Sequence, residues 1–438
     1  MYFWKLNELN ITTSINKFTT YIISVNLLFH PYIEEVIKIS VRNQLNKQPL
    51  ALIALLISAF AIGTTEFVIM GILPDVANDL NITLSAAGLL VTGYALGVAI
   101  GGPIITAFTG HLSRKSLLFS LMLIFVAGNL LAAVAPNYQV LMTARVLSSF
   151  AHGTFFGVGS IVATRLVPRE KQASAIAMMF AGLTLANILG VPFGTFIGQM
   201  WGWRATFWIV TVLGIVSLIG IAWLVPRIQG EVILDYLQEI RVVRNKQVLL
   251  ALLMTALGFG GVFTVFTYIT PILTDITGFD SGAVTPILLI FGIGMTIGNA
   301  IGGKLSDWKL MPSLAGMLAL LAAVLVVFTL TSSFKFATVV TVFVWGIASF
   351  AIVPTFQMRV LSKAKESPNI ASALNISSFN LANAGGAFLG GWVIDHGPGL
   401  HAVLWVAALV TVAGLLVTLF SWSLDRGEAP YTSSAELE

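Results

Sequence analysis

The chain has 438 residues, of which 57% are apolar and only 10% charged, whereas soluble domains carry about 25% charged residues. This composition excludes an ordinary soluble fold. The net charge of +4 does not indicate a nucleic-acid binder, because the 23 lysines and arginines stand singly or in small groups between apolar runs. The sequence contains no cysteine, which excludes disulfides, thiol nucleophiles and thiolate metal sites, and we expect no metal or other cofactor.

Long apolar stretches recur along nearly the whole chain. A hydrocarbon core ~30 Å thick requires ~20 helical residues to cross it, and twelve stretches of about that length are bounded by charged or turn residues. They predict an all-α polytopic membrane protein. Predicted helices 1 to 12 span 50–73, 84–109, 115–135, 138–164, 171–199, 203–225, 248–274, 282–303, 311–331, 334–361, 369–394 and 400–423.

The basic residues predict the orientation of these helices. If helix 1 starts in the cytoplasm, sixteen lysines and arginines lie on the cytoplasmic side and two, Arg204 and Lys335, on the opposite side. We therefore expect a multi-pass protein of the inner or plasma membrane, with both ends of the twelve-helix core in the cytoplasm. The sixteen are Lys47, Arg114, Lys115, Arg165, Arg169, Lys171, Arg227, Arg241, Arg244, Lys246, Lys304, Lys309, Arg359, Lys363, Lys365 and Arg426.

Two terminal segments do not fit the pattern of spanning helices. Residues 1–46 are rich in Asn, Ile, Thr and Lys, and their best apolar run is short. We interpret them as an atypical extension, disordered or not native, with the natural start at or near Leu45. Residues 425–438 form a short polar stretch, which predicts a disordered cytoplasmic tail.

The core divides into two similar halves, 47–225 and 248–424, each with six predicted helices. Residues 226–247 between them form either an amphipathic surface helix or a plain cytoplasmic linker. Glycine spacing repeats between the halves at an offset near 200 residues, which predicts two pseudo-symmetric six-helix bundles. The matched glycines are Gly93, Gly97 and Gly101 with Gly294, Gly298 and Gly302, and Gly190 and Gly194 with Gly386 and Gly390.

Several motifs resemble the major facilitator superfamily, in its drug:proton antiporter branch and close to arabinose-efflux-permease-like members. They are TTEFVIMGILPDVA in helix 1, PIITAFTGHLSRKSLLF after helix 2, ARVLSSFAHGTFFGVG in helix 4, NILGVPFG in helix 5 and GWRATF at the start of helix 6. The resemblance covers residues 48 to about 425. It implies a secondary transporter whose two bundles rock between inward-open and outward-open states.

The resemblance also implies a cytoplasmic gate in the loops after helices 2 and 8. The first loop, GHLSRK, has Gly110 and His111 where the family carries Asp and Arg. The implied gate residues are Arg114 and Lys115 in the first loop, and Gly303 and Asp307 in the second.

The helix 5 sequence LGVPFG is similar to the family's antiporter motif. Proline removes a backbone donor and glycine removes side-chain bulk, which predicts a bent, closely packed helix at the interface between the halves. The alternative is a structural hinge with no bearing on antiport. The motif residues are Gly190, Pro192, Gly194 and Gly198.

Two charged residues lie deep within predicted helices, where a charge is costly and usually functional. Glu66 and Arg145 each sit ~12 to 14 Å below the outer surface at ~1.5 Å per residue, so they can pair if helices 1 and 4 are neighbours. Burial disfavours a charged carboxylate and a nearby cation favours it, which makes Glu66 the candidate proton carrier. The alternative is a static buried pair. His152, two turns from Arg145, is either a proton-coupling residue or a packing residue.

A second group of polar and aromatic side chains could line a central substrate cavity. The helices of the second half contain no acidic residue by this prediction, which argues against multiply charged substrates. The candidate cavity residues are Tyr94, Ser149, Asn187, Phe263, Phe266, Tyr268, Gln357 and Asn383.

The preferred function is proton-coupled efflux of a small amphipathic or polar solute, such as a drug, by a monomer driven by the proton gradient. A sugar or nucleoside exporter of the same fold is the alternative within this class. The alternative from another class is a membrane sensor or scaffold that does not transport. The presence of Glu66 and Arg145 within the predicted helices argues against this alternative. An enzyme is not indicated. GNAIGGKL, residues 298–305, lacks the Ser or Thr of a phosphate-binding loop, so ATP-driven transport is not indicated either.

Overall fold

The computed structural model describes residues 50–109, 112–168, 171–226, 245–364 and 368–427. Over these ranges the regular structure is entirely helical, and it confirms the predicted all-α polytopic fold. The twelve long helices are α1 (Leu50–Gly71), α2 (Leu84–Phe108), α3 (Arg114–Ala133), α4 (Tyr138–Arg165), α5 (Gln172–Leu185 and Val191–Trp201), α6 (Trp203–Leu224), α7 (Lys246–Phe266), α8 (Ser281–Trp308), α9 (Leu310–Thr331), α10 (Lys335–Lys363), α11 (Pro368–His396) and α12 (Ala402–Gly427).

Eleven of the described helices are long and apolar enough to cross a membrane. Helix α11 has the length, at 29 residues, but its asparagines and serines lower its hydropathy. Asn375, Asn380 and Asn383 are nevertheless buried. The polar face of α11 therefore points into the protein, where other side chains rather than lipid surround it.

Two helices are interrupted close to a proline. In α5 a π-helical turn, Ala186–Gly190, precedes Pro192. The prediction of one unbroken helix over 248–274 is wrong, because α7 ends at Phe266 and is followed by two short helical turns, Ile269–Pro271 and Ile272–Ile276. Pro271 has no N–H to donate and its ring clashes with the preceding turn, which ends the regular helix.

The same packing pattern occurs in the first half (α1–α6) and the second half (α7–α12). Helix α2 packs on α4 as α8 packs on α10, and α3 packs on α6 as α9 packs on α12. Helix α7 packs on α11, and α1 packs on α5 through contacts such as Thr64 with Gly190. The halves meet where α2 packs on α11 and where α5 packs on α8. This is the predicted pair of pseudo-symmetric bundles.

The repeated glycines lie in equivalent helix contacts. A Cβ on Gly298 or Gly302 would overlap the backbone carbonyl of Ile347 or Ala351 in α10. In the first half, a Cβ on Gly97 would overlap the Ser149 side chain of α4. Glycine thus allows close approach of the paired helices in both halves. The stretch 298–305 lies inside α8, so it is not a phosphate-binding loop.

The C-terminal boundary differs from the prediction. Helix α12 continues to Gly427, and Asp425 accepts a hydrogen bond of 2.7 Å from Arg359. Asp425 is therefore a bonded helical residue rather than the first residue of a tail. Several other predictions lie outside the described residues: the extension 1–46, Gly110 and His111, the linker over 227–244 and the tail from 428 onward.

Candidate functional site

A cavity of about 500 Å³ lies between the two halves. Its walls come from α1, α4 and α5 of the first half and from α7, α8, α10 and α11 of the second. This is the volume of a small-molecule site. The lining residues are Glu66, Phe67, His152, Phe156, Phe180, Leu183, Thr184, Asn187, Phe259, Met295, Thr296, Asn299, Phe350, Val353, Pro354, Gln357, Ser372, Ile376, Phe379, Asn380 and Asn383.

The halves are in contact at one end of the cavity, which we call the Asp79 end because α1 leads there into a short helix, Leu73–Asp79. The Thr270 hydroxyl donates to the Met70 carbonyl at 2.7 Å, and the Ser85 hydroxyl donates to the Asp395 carboxylate at 2.5 Å. Each bond joins one half to the other. An aromatic cluster fills the space just inside them, and it consists of Phe67, Phe263, Phe266, Phe291 and Trp345.

The cavity extends toward the opposite end, which we call the Arg114 end. Its lining reaches Ser372, four residues after the start of α11 at Pro368. Three lining residues, Thr184, Thr296 and Asn299, are exposed. The two halves are thus in contact at the Asp79 end, and the cavity between them lies on the side of the Arg114 end.

Glu66 lies in the cavity wall with its side chain 7% exposed. Its Oε2 is 3.7 Å from Nδ1 of His152 in the first half. The Asn383 amide of the second half donates to its Oε1 at 3.5 Å. Among the described lining residues Glu66 is the only carboxylate, and it touches both halves.

Arg145 lies next to Glu66, but its described hydrogen bonds go to the main chain of α1 and not to the Glu66 carboxylate. Helices α1 and α4 are neighbours as expected, yet the guanidinium donates to the backbone carbonyls of Thr65 at 2.5 Å and Glu66 at 3.3 Å. It also stacks over the Tyr94 ring at 4.2 Å. Among the described contacts it forms no ion pair with the Glu66 carboxylate. The predicted pair does not form, because the Glu66 carboxylate turns into the cavity while the Arg145 guanidinium stays behind α1.

Three of the eight predicted cavity residues line this cavity: Asn187, Gln357 and Asn383. The other five lie outside the described lining, and their side chains contact or hydrogen-bond to other parts of the protein. Phe263 and Phe266 belong to the aromatic cluster at the closed end, and the Tyr268 hydroxyl donates to the Ala387 carbonyl at 2.9 Å. Tyr94 lies beneath Arg145, and the Ser149 hydroxyl donates to its own helix at Val146.

Most of the cavity wall was not predicted from the sequence. Six phenylalanines line the cavity, and so do Asn299 and Asn380. One signal was present: Ser372, Ile376, Asn380 and Asn383 recur at helical spacing in a helix with too many polar residues to face lipid. The phenylalanines carry no such signal, because an aromatic side chain suits lipid, packed core and cavity alike.

The antiporter-motif glycines face helix α1 of their own half. A Cβ on Gly190, Gly194 or Gly198 would press on α1 side chains, namely Thr64 and Val68, or on Ile72 just beyond that helix. Helix α5 meets α8 of the other half through its π-helical turn, where the backbone of Asn187 and Ile188 contacts Gly292, and through the segment Val191–Trp201. Pro192 follows that turn directly. The motif therefore packs α5 on α1 with one face and leaves the π-helical turn against α8.

The predicted gate residues lie at the Arg114 end. The Lys115 ammonium donates to the Ala222 carbonyl of α6 at 2.7 Å, within the first half. Arg114 begins α3 after the Ser113 cap, and Asp307 is exposed near the end of α8. A Cβ on Gly303 would meet no described atom within 4 Å.

Comparison with known proteins identifies the family. The family model described as Major Facilitator Superfamily matches residues 55–377. The chain is 45% identical over 370 residues, 84% of this chain and 95% of the relative, to the "Inner membrane transport protein YdhP" of Escherichia coli O157:H7. It is 32% identical over 373 residues, 84% and 95% of the two chains, to the "Chloramphenicol resistance protein" of Streptomyces lividans. A bacterial homologue of the human lysosomal transporter Spinster, solved in an inward-facing and unoccupied conformation, shares the fold with a TM-score of 0.61 at 16% identity, over 85% of this chain and 95% of that one.

Proposed function

The chain belongs to the Major Facilitator Superfamily and is a membrane transporter rather than an enzyme; on that premise we propose that it exports a small amphipathic or polar solute in exchange for protons. The observation that carries the proposal is Glu66, a buried carboxylate in the wall of a cavity between the two halves. A chloramphenicol resistance protein among its relatives favours export of a drug-like solute.

Glu66 has the surroundings that a proton carrier requires. A carboxylate surrounded by protein in a membrane is costly to keep charged, and its two described side-chain neighbours, His152 and Asn383, belong to opposite halves. Any rocking of the halves changes the distance between these neighbours. Movement therefore alters how well the charged form is stabilised, which is how a conformational change is coupled to proton binding and release.

Exchange then follows from alternating access by two rocking units, which we assign to residues 47–225 and 248–424. In the conformation described here Glu66 releases its proton toward the Arg114 end and the solute enters from that side. In the opposite conformation the solute leaves at the Asp79 end and Glu66 is protonated there. One proton is worth ~2.3 kcal/mol per 100 mV, or roughly a fiftyfold solute gradient.

The distribution of basic residues supports placing the Arg114 end in the cytoplasm. Arg204 and Lys335 are the two basic residues assigned to the Asp79 end, against sixteen on the other side. With this orientation both ends of the twelve-helix core are cytoplasmic, and the conformation described here is inward-facing. The name of the Escherichia coli relative supports an inner-membrane location, and the protein acts as a monomer.

Replacing Glu66 by Gln tests the proposal. Reconstituted protein in vesicles with a trapped pH dye should show solute-induced proton flux, and Glu66→Gln should abolish that flux because the amide cannot release a proton. The matched control is Asp275→Asn, an exposed carboxylate outside the cavity, which should keep the flux. Coupled export by a folded Glu66→Gln protein would refute the role of Glu66.

The same vesicles separate the two classes of solute. A panel of drugs, sugars and nucleosides is added one at a time, and the solutes that move protons define the class. A response to sugars or nucleosides alone would assign the protein as a dedicated exporter of those solutes.

A further inference from the structure

Three buried amide oxygens at the cavity have no hydrogen-bond partner within the described part of the chain. They are the Oδ1 atoms of Asn187, Asn380 and Asn383, and all three side chains line the cavity with an exposed fraction of 8% or less. A buried acceptor without a partner costs ~1 to 3 kcal/mol, and native proteins contain few of them. The described part of the chain has nine buried side-chain atoms without a partner, and the three that can only accept all lie around this one cavity. This grouping indicates that the ligand supplies donors.

The orientation of each amide is fixed by its other atom. The Nδ2 of Asn187 donates to the Leu183 carbonyl and that of Asn380 donates to the Ile376 carbonyl. The Nδ2 of Asn383 donates to the Glu66 carboxylate. Carbonyl oxygens and a charged carboxylate accept only from the NH₂ group, so a flip of Asn187, of Asn380 or, while Glu66 is charged, of Asn383 would place two acceptors against each other. All three unpartnered atoms are therefore acceptors, and what they require is a donor.

The remaining lining defines the charge and the apolar part of the ligand. No lysine or arginine is among the described lining residues, and Glu66 is the single acid. An anionic solute would meet a carboxylate with no compensating cation. Two phenylalanine groups flank the cavity: Phe156 with Phe180 in the first half at 5.1 Å, and Phe259 with Phe379 in the second at 4.9 Å. Such rings bind an aromatic or alkyl surface.

We infer that the transported solute carries no negative charge and has at least two hydrogen-bond donors, hydroxyl or N–H, beside an aromatic or alkyl body. Asn187, Asn380 and Asn383 are the residues that select it. The three oxygens are buried, so small side-chain movements on binding bring the donors to them. This inference rests on the proposed export function only in treating the cavity as the substrate site.

The three asparagines also connect selection to transport. Asn187 belongs to the first half, whereas Asn380 and Asn383 belong to the second. A solute with two donors can bind both halves at once and favour the conformation that closes around it. A solute with only one donor lacks this link between the halves.

The test measures binding to the purified full chain in detergent by titration calorimetry. The probes are uncharged aryl glycosides, aryl diols and anilides, each with its O- or N-methylated partner, its carboxylate analogue and its quaternary-ammonium analogue. We expect uncharged donor-bearing probes to bind and methylation of one contacting donor to weaken Kd by up to about tenfold, the upper end of the range for one hydrogen bond. Equal binding of the methylated partners, preference for the carboxylate analogues, or no binding by any donor-bearing probe would overturn the inference.

A variant locates the effect at the asparagines. Asn380→Leu should weaken binding of a parent probe about tenfold and leave the affinity of its methylated partner unchanged, because the acceptor and the donor belong to one bond. Asn129→Leu is the matched control, since that buried asparagine lies outside the cavity lining and has both polar atoms partnered. Equal weakening of parent and methylated probe by Asn380→Leu would show a general packing effect and refute the role of Asn380.

The two parts of the experiment fail independently. The comparison of parent and methylated probes uses the unaltered protein, so it does not depend on whether a variant folds. Calorimetry needs no proton gradient, so a failure of donor selectivity leaves the proton flux of the vesicle experiment intact. Loss of proton coupling in the vesicles would leave donor selectivity in the calorimeter unchanged.

Discussion

Arg145 holds the main chain of α1 in place directly behind Glu66. Its guanidinium donates to two consecutive carbonyls, of Thr65 and Glu66, and lies on the Tyr94 ring. The planar fork of arginine suits such a pair of acceptors, and its weak hydration suits a buried site. Arg145 therefore fixes the backbone that carries the carboxylate and leaves the carboxylate itself free to face the cavity.

Arg145→Lys should therefore destabilise the protein. A single ammonium cannot reproduce the fork and the stacking together, and losing a buried charged hydrogen bond costs on the order of 2 kcal/mol. The measurement is the thermal unfolding midpoint in detergent. Arg204→Lys, at a site where the side chain is 36% exposed, is the control and should lower the midpoint less. A normal midpoint with loss of proton flux would instead place Arg145 in the proton chemistry.

Asp79 makes stability depend on pH at the end that bears its name. Hydrogen bonds from Arg204 and then Trp203 hold the pKa of the Asp79 carboxyl below its usual value of 3.8. A carboxyl with a lowered pKa stabilises the fold above the unfolded pKa and loses that contribution as pH falls through the folded one. The thermal midpoint should therefore drop below about pH 4, and Asp79→Asn should reduce that drop. An identical pH profile for the variant would contradict this assignment.

At the scale of elements, close helix pairs depend on glycine in both halves. Gly298 faces the Ile347 carbonyl of α10, and backbone cannot move aside as a flexible side chain can. The pairing of α8 with α10 is thus sensitive to a single methyl group.

Gly298→Ala should lower the unfolding midpoint, since overpacking costs ~1 to 3 kcal/mol. Gly316→Ala is the matched control, because a Cβ there meets nothing within 4 Å, and removing a helical glycine there is neutral or favourable by up to ~1 kcal/mol. Equal effects of the two substitutions on the midpoint would mean that α8 and α10 do not pack as described.

The helices and their pairing could be predicted from the sequence, whereas the residues that line the cavity could not. Apolar length predicted the helices and glycine spacing predicted their pairing, because both are local properties of the chain. Cavity residues depend on how each helix is rotated against its partners. Phe259 lines the cavity, whereas Phe263, one turn later, packs at the closed end, and their local sequences do not distinguish them. Glu66 was identifiable because a buried charge is rare, but the direction of its carboxylate depends on Asn383, 317 residues away.

At the scale of the whole molecule, a few bonds between the halves hold the Asp79 end closed. Thr270 donates to Met70, Ser85 to Asp395, and Thr92 to the Ala384 carbonyl at 3.3 Å. The proposed alternating access requires these bonds to break. Each contributes ~1 kcal/mol, which is small enough for thermal opening.

Thr270→Val should shift the protein toward the state open at the Asp79 end, by about fivefold in the ratio of the two states for one hydrogen bond. The chain has no cysteine, so Asn78→Cys and Asp280→Cys, both at exposed positions of this end, accept a pair of spin labels without background. Pulsed EPR should then show a larger population at long distance. The Thr211 hydroxyl donates within its own helix, so Thr211→Val should leave the distance distribution unchanged. A similar shift in both variants would refute the role of the Thr270 bond in holding the Asp79 end closed.

The polar face of α11 also bears on how the protein is made. A segment with buried asparagines partitions poorly from the translocon into lipid by itself. Its insertion during translation therefore depends on contacts with α7 and α2, which are synthesised earlier and pack on it in the finished fold. Mutations that weaken those two contacts should act first on biogenesis, leaving chains with α11 outside the bilayer for quality-control proteases to degrade.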